Sequence, residues 1–255
     1  MYLEREARTL TVDMLPTWII ETELNAAAER AAEAARARGC RVLRWTSGDP
    51  RPTPPSGACV FLGSLTACPG MPGVIGDPAR LRVSRWLPLV GALALNREVV
   101  FSTVGEVARL ELPWQRVFVR PDSAMKPFAG RVLAREQLAP AALDHGFYYE
   151  ELELPVVIAP ARPVVEEWRF VIVRRRVVAA CGYSADGRAG RVATPPAAAY
   201  DVAERAAAVS PEESVVADVC RLEDERLFLV EYNLLSGADL YECDADAVVS
   251  ALAGL

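Results

Sequence analysis

The stretch Arg120-Pro121-Asp122-Ser123-Ala124-Met125-Lys126-Pro127-Phe128-Ala129-Gly130 holds the only lysine of this 255-residue chain; every other basic residue is arginine. Lysine carries a compact charge on a flexible stem, whereas arginine carries a planar forked group. A surface that needed only solubility would have accepted arginine at Lys126 as well. The loop is therefore a candidate anion-binding site, and chance survival of one lysine in an arginine-rich chain is the alternative.

Short apolar runs on either side of this loop predict a mixed α/β protein. A strand over Val117–Arg120 leads into it. A helix from Thr22, as N-cap, to about Arg38 would end at Gly39. A weak helix is predicted over Glu136–Leu143 and a stronger one over Ala197–Ala208. The other predicted strands are Thr17–Ile20, Arg41–Trp45, Cys59–Leu62, Leu154–Ala159, Glu166–Val173, Ser214–Cys220 and Arg226–Asn233.

Composition limits the function classes. The net charge of −6 argues against a sequence-independent grip on nucleic acid, which needs a basic face. The longest apolar stretch, Trp86–Leu95, is about half a membrane span, and the charged start shows no targeting signal. We therefore expect a cytoplasmic protein with no membrane partner. Six cysteines without a CxxC pair, beside one histidine, predict buried thiols and no zinc site.

Two carboxylates and an amide form the clearest candidate metal site. Glu231 and Asn233 are two apart on a predicted strand and so share one face, and Asp218 can join them from the preceding strand. Oxygen donors of this kind suit Mg²⁺. The alternative is that all three line an ordinary solvated strand face.

Glu167 and Arg169 also share a strand face. They suit either a cross-strand ion pair or an arginine aimed at an anionic ligand, with the glutamate orienting it. The sequence has neither GxxxxGK[ST] nor GxSxG, and any histidine-dependent triad would have to use His145.

These pieces, in this order, resemble the ATP-grasp superfamily. Arg120…Lys126-Pro-Phe-Ala-Gly130, Glu167-Trp-Arg169-Phe, Asp218 and Glu231-Tyr-Asn233 are most similar to a bacterial and phage clade with an R-P…K-x-F-x-G loop and an E-W-R-F strand. The similarity covers about residues 85–245. It implies an α/β fold of two α+β lobes that grip ATP (residues 98–255), preceded by a smaller α/β domain (residues 1–97).

The resemblance also implies roles for individual residues. Lys126 would contact the nucleotide phosphates, and Arg120 and Arg169 would act on the transferred phosphate. Glu167 would lie beside the nucleotide. The backbone of the strand around Val157 and Ile158 would read the adenine. The Mg²⁺ ligands would be Asp218, Glu231 and Asn233.

The implied activity is an ATP- and Mg²⁺-dependent ligase that joins a carboxylate to an amine through an acyl phosphate. The carboxylate would belong to a small molecule or a peptide. The alternative is a nucleotide-binding module without turnover. Arg188 and Arg191, in the loop Ser184–Thr194, are candidate substrate contacts or part of a solvated hairpin tip. The chain lacks the second lysine of many relatives, so either Arg162 replaces it or the site works without it. A homodimer is left open.

Overall fold

The structure, a computed structural model, describes residues 15–54, 57–143, 151–183 and 194–254. The helices are α1 (Ala26–Ala37), α2 (Val83–Val90), α3 (Pro140–Leu143), α4 (Ala197–Val209) and α5 (Ala245–Leu252). The strands are β1 (Thr17–Glu21), β2 (Val42–Trp45), β3 (Cys59–Leu62), β4 (Val100–Thr103), β5 (Arg116–Pro121), β6 (Arg131–Ala134), β7 (Pro155–Pro160), β8 (Val164–Val173), β9 (Arg176–Tyr183), β10 (Val215–Leu222) and β11 (Leu227–Asn233).

The strands form three sheets. The parallel sheet has the order β2-β1-β3, with the fully buried β1 in its centre. The loop sheet, β4-β7-β5-β6, is antiparallel, and its strands β5 and β6 are joined by the lysine loop (residues 122–130). The acidic sheet, β11-β10-β8-β9, is also antiparallel and carries the predicted acidic residues.

The parallel sheet and the acidic sheet share their hydrophobic core. Trp18 and Ile20 of β1 belong to one cluster with Val171 of β8 and Val216 of β10. Apolar residues that alternate along β1 therefore face partners from the acidic sheet. The loop sheet has a cluster of its own, which includes Val117. The boundary near residue 97 stays a prediction, and the shared core spans it.

The chain passes between the sheets beside β11. Ala94 bridges Leu229 in parallel, and the Leu95 amide donates to the Leu229 carbonyl at 2.8 Å. The segment then enters β4 at the edge of the loop sheet. This short run places the lysine loop near the acidic sheet. No helix in the described ranges is long and apolar enough to cross a membrane.

The first helix begins later than the sequence predicts. Its N-cap is Asn25, whose Oδ1 accepts from the Ala28 amide at 2.8 Å, and not Thr22. Thr22 instead extends β1: its amide and its hydroxyl both donate to the Trp45 carbonyl. Thr22 fails as a cap because the adjacent strand engages it. Gly39, at φ +80°, follows the end of α1 as predicted.

Asn25→Ala should lower the free energy of unfolding by about 1 kcal/mol, because the Ala28 amide loses its side-chain acceptor. Chemical denaturation measures the change. Asn25→Asp keeps an acceptor oxygen and should stay close to the wild-type value. A stability loss in Asn25→Asp as large as in Asn25→Ala would contradict this assignment of the cap.

Candidate active site

The lysine loop is fixed at its start by Asp122. This buried carboxylate accepts from the Ser84 amide at 3.0 Å and from the Ser84 hydroxyl at 2.6 Å. Ser84 lies in the first turn of α2, where backbone amides lack partners within the helix, so Asp122 caps α2 from a distant part of the chain. Arg82 donates through Nε to the Asp122 carbonyl at 3.2 Å. The entry to the loop is thereby held against α2.

The end of the lysine loop is fixed by packing. Phe128 is buried in the core of the loop sheet. Gly130 lies against Phe118, and a Cβ at this position would come within 2.5 Å of that ring. Between these anchors, Lys126 adopts φ +45°, which non-glycine residues rarely do. Strain of this kind is held in place by the anchored ends of a loop.

One row of charged residues crosses three strands of the acidic sheet. Asp218 of β10 pairs in register with Arg169 of β8 on one side and with Glu231 of β11 on the other. Directly paired residues in an antiparallel sheet point to the same face. Asn233 lies two positions beyond Glu231 and shares that face. The structure therefore brings together Asp218, Glu231 and Asn233, which the sequence predicted on neighbouring strands, and adds Arg169 to them.

Glu231 is the point at which the two sheets meet through charge. Arg120 of β5 approaches its Oε2 at 2.7 Å, and Lys126 Nζ donates to its Oε1 at 2.6 Å. The Glu231 side chain is 12% exposed and the Lys126 side chain is 35% exposed. Burial opposes the charge on Glu231, but the nearby Arg120 and Lys126 outweigh burial and hold the pKa of Glu231 well below its usual range.

Arg169 and Asp218 form a buried, two-pronged ion pair. Arg169 donates through Nε to Asp218 Oδ1 at 2.9 Å and through Nη2 to Oδ2 at 2.8 Å. Asn233 Nδ2 donates to the same Oδ2 at 2.8 Å. Asp218 is 0% exposed and Arg169 is 6% exposed. A fully buried carboxylate needs such donors, and Arg169 and Asn233 supply them inside the sheet.

The segment after β11 encloses Arg169 from the other side. Arg169 donates through Nη1 to the Asp239 carbonyl at 2.6 Å. Its guanidinium lies over the Tyr241 ring, 4.7 Å from the ring centroid. Tyr241 adopts φ +44°, and its amide donates to Asp239 Oδ1 at 2.8 Å. This cage holds the guanidinium in one orientation. Asp239 and Tyr241 were not among the predicted site residues, although both lie within residues 85–245, which resemble the family.

The donor set fits Mg²⁺ by its chemistry. In the described ranges, no group of three or more His, Cys, Asp or Glu side chains is arranged to hold a metal ion. The set here has only two carboxylates, because its third member is the amide of Asn233. That amide uses Nδ2 for Asp218, which leaves its oxygen as an acceptor. Asp218 receives three donors, and a carboxylate has about four acceptor positions. Hard oxygen ligands of this number suit Mg²⁺ with water and phosphate oxygens.

The structure argues against Val157 and Ile158 as base-reading residues. Both lie in β7, in the middle of the loop sheet, and both side chains are buried. Each residue is paired with β4 on one side and with β5 on the other. The backbone groups of this stretch are therefore engaged in the sheet. The run is apolar because it lies in the middle of the sheet.

The remaining predicted residues are placed as follows. Glu167 is partly buried on β8, two positions before Arg169. Arg162 is exposed in the link between β7 and β8. His145, Arg188 and Arg191 lie outside the described residues.

Comparison with known proteins agrees with this architecture. The model of the ATP-grasp domain, R-2-K clade family 2, matches residues 95–251. No curated protein has a matching sequence. Among solved structures, the chain is 16% identical to a RimK domain protein ATP-grasp from Sphaerobacter thermophilus DSM 20745, over 94% of this chain and 100% of that chain, with a TM-score of 0.63.

Two further structures show the same fold. D-cycloserine synthetase DcsG is 14% identical, over 93% of this chain and 99% of that chain, with a TM-score of 0.64. ATP-grasp ligase PsnB, complexed with a minimal precursor, Mg and ADP, is 13% identical, over 92% of this chain and 96% of that chain, with a TM-score of 0.59. The three sheets and the charged residues between them form an ATP-grasp fold, and the chain belongs to family 2 of the R-2-K clade of ATP-grasp domains.

Proposed function

We propose that this protein is an ATP- and Mg²⁺-dependent ligase that joins a carboxylate to an amine through an acyl phosphate. One observation carries the proposal: Arg120 and Lys126 of the loop sheet meet Glu231 of the acidic sheet. Two cations and a row of carboxylates thus face each other across the boundary between two sheets. Triphosphate with its magnesium needs both kinds of group side by side.

The ion pairs of Glu231 with Arg120 and Lys126 suit a site that would bind triphosphate together with magnesium. Lys126 and Arg120 neutralise Glu231, which would otherwise be a largely buried, uncompensated charge. A triphosphate offers these cations stronger partners, because phosphate oxygens accept charge-assisted hydrogen bonds. Mg²⁺ would take over Glu231 and the oxygen of Asn233, with Asp218 behind them. Arg120 and Lys126 would therefore stay beside Glu231 until the nucleotide replaces these ion pairs.

The residues of the chain would then position the phosphates and neutralise their charge, and no covalent bond to the enzyme would form. Lys126, on its anchored loop, would bind phosphate oxygens. Arg120 would stabilise charge as the γ-phosphoryl group passes to the substrate carboxylate. Glu231 and Asn233 would hold Mg²⁺, which would supply positive charge to neutralise the phosphates. The acyl phosphate that results carries an activated carbonyl, which an amine attacks with release of phosphate.

Arg169 has a supporting role in this account. Its guanidinium is committed to Asp218, to the Asp239 carbonyl and to the Tyr241 ring. It would therefore orient Asp218 beside the phosphates and add positive charge to the site. The contacts to Asp218, Asp239 and Tyr241 restrict the guanidinium from contacting a ligand directly. This refines the sequence-based expectation of an arginine at the transferred phosphate.

The relatives suggest which substrates to test. One is complexed with a minimal precursor and another is a D-cycloserine synthetase, so similar folds serve both larger and small substrates. A screen should therefore contain amino acids, small carboxylic acids and short peptides with free carboxylates.

The activity is tested by ADP release from ATP in the presence of such carboxylates, with hydroxylamine as a general amine acceptor. We expect release that depends on the carboxylate, forms a hydroxamate and stops in EDTA. Carboxylate labelled with ¹⁸O should transfer one label to phosphate, because its oxygen attacks the γ-phosphorus. Tight ATP binding without ADP release for any acceptor would reject the ligase and favour the nucleotide-binding module.

Lys126→Ala should weaken ATP binding about 10- to 100-fold, because a charge-assisted hydrogen bond contributes about 1.5–3 kcal/mol. Isothermal titration calorimetry measures this. Arg226→Ala removes the same charge from an exposed ion pair with Asp224, away from the site, and should bind like the wild type. Equal affinities for all three proteins would remove Lys126 from the phosphate site.

Asp218→Ala should destabilise the fold by about 3–5 kcal/mol, because it leaves the buried Arg169 charge without its partner. The loss should be the same in Mg²⁺ and in EDTA, since it arises from the ion pair. Glu231→Gln keeps the size of the side chain and a polar group for Arg120 and Lys126, so it should stay folded and lose Mg²⁺-dependent turnover. Denaturation curves and ADP release measure the two effects. Wild-type stability of Asp218→Ala would show that the ion pair is not a structural element.

A further inference from the structure

Two buried cysteines lie in direct sulfur contact behind Arg169. The Sγ atoms of Cys181, in β9, and Cys243, just before α5, are 2.9 Å apart. A disulfide bond is about 2.05 Å long, so the two sulfurs need only a small approach to bond. The thiols are 6% and 4% exposed. All six cysteines lie within the described ranges, and this is the one pair among them whose sulfurs touch.

The pair joins the two segments that enclose Arg169. Cys181 lies directly opposite Arg169 in the β8–β9 register. Cys181 Sγ lies 3.7 Å from the Leu240 carbonyl oxygen, and Cys243 Sγ lies 3.9 Å from the Arg169 carbonyl oxygen. Leu240 lies between Asp239 and Tyr241, which hold the guanidinium. A bond between the sulfurs would therefore tie this cage to β9.

We propose that Cys181 and Cys243 are a redox-active dithiol that a small hydroperoxide converts reversibly into a disulfide. Burial selects the oxidant, because a thiol of this exposure admits a molecule the size of hydrogen peroxide and excludes the active site of a protein oxidoreductase. Because Cys181 pairs with Arg169 in the sheet and Cys243 lies next to the Arg169 carbonyl, a disulfide would affect the surroundings of Arg169.

The reaction has a defined direction. A hydrogen bond from Cys243 lowers the pKa of Cys181, despite its burial, and the nearby Arg169 charge adds to this effect, whereas the same hydrogen bond raises the pKa of Cys243. Cys181 is thus the thiol that ionises more readily, and we expect it to attack first. The remaining cysteines differ: burial raises the pKa of Cys68 to about 11 and that of Cys220 to about 12.

The atoms and electrons balance over two steps. The Cys181 thiolate attacks one peroxide oxygen, the O–O bond breaks, and hydroxide leaves while a sulfenic acid forms. The Cys243 sulfur then attacks the Cys181 sulfur, the S–O bond breaks, and the departing hydroxide takes the Cys243 proton as water. The two thiols lose two electrons, which reduce one peroxide. An external dithiol reverses the bond by exchange.

The test uses the reduced protein, treated with hydrogen peroxide in the folded state and then alkylated in denaturant, so that buried free thiols also react. We expect two of the six thiols to be protected from alkylation and one cross-linked peptide pair that contains Cys181 and Cys243. Dithiothreitol should restore six reactive thiols. Unfolding should shift upward by several degrees in the oxidised protein, because the bond restricts the unfolded chain. These readouts need no enzymatic activity, so they stand apart from the proposed ligase.

Two variants separate the roles of the thiols. Cys243→Ser should stop the reaction at the Cys181 sulfenic acid, which dimedone captures. Cys220→Ser removes a buried thiol without a sulfur partner and should oxidise like the wild type. Six free thiols after peroxide treatment of the wild type, or a cross-link between another pair, would overturn the proposal.

Discussion

The site depends on Glu231, whose carboxylate receives two cations from a neighbouring sheet. Arg120 and Lys126 reach it from the loop sheet, while Glu231 belongs to the acidic sheet. The loop sheet supplies the two cations and the acidic sheet supplies the carboxylate, so both sheets are needed to form these ion pairs. The lysine loop is accordingly anchored at both ends: Asp122 accepts hydrogen bonds from Ser84 of α2, and Phe128 packs in the core of the loop sheet. Precise placement of Lys126 is what these anchors accomplish.

Behind Glu231, the buried pair of Arg169 and Asp218 fixes the row of charges within the sheet. Asp218 is 0% exposed, and Arg169 and Asn233 supply its hydrogen-bond donors. Arg169 is in turn enclosed by Asp239 and Tyr241. A removed partner would leave a buried charge uncompensated, so function and stability are linked at this position. The Cys181–Cys243 pair lies against the same arginine.

The sequence predicted most of the strands and the shared placement of Asp218, Glu231 and Asn233, because two-residue spacing fixes which side chains share a strand face. It did not predict what depends on distant pairing. Thr22 was expected to cap α1, but β2 engages it and Asn25 caps instead. Val157 and Ile158 suggested a cleft strand, yet β4 and β5 cover both sides of β7. The commitment of Asp218 to Arg169 also needed the register of β8 and β10.

The single lysine allows NMR to measure directly whether the Lys126 amine moves from Glu231 to the nucleotide phosphates. Protein labelled with ¹⁵N only at the lysine Nζ has one such signal, which reports the surroundings of Lys126. On titration with a non-hydrolysable ATP analogue and Mg²⁺, the account predicts that this signal shifts and saturates along the binding curve measured by calorimetry, as the amine leaves Glu231 for phosphate. A signal that stays unchanged while the analogue binds would contradict the account.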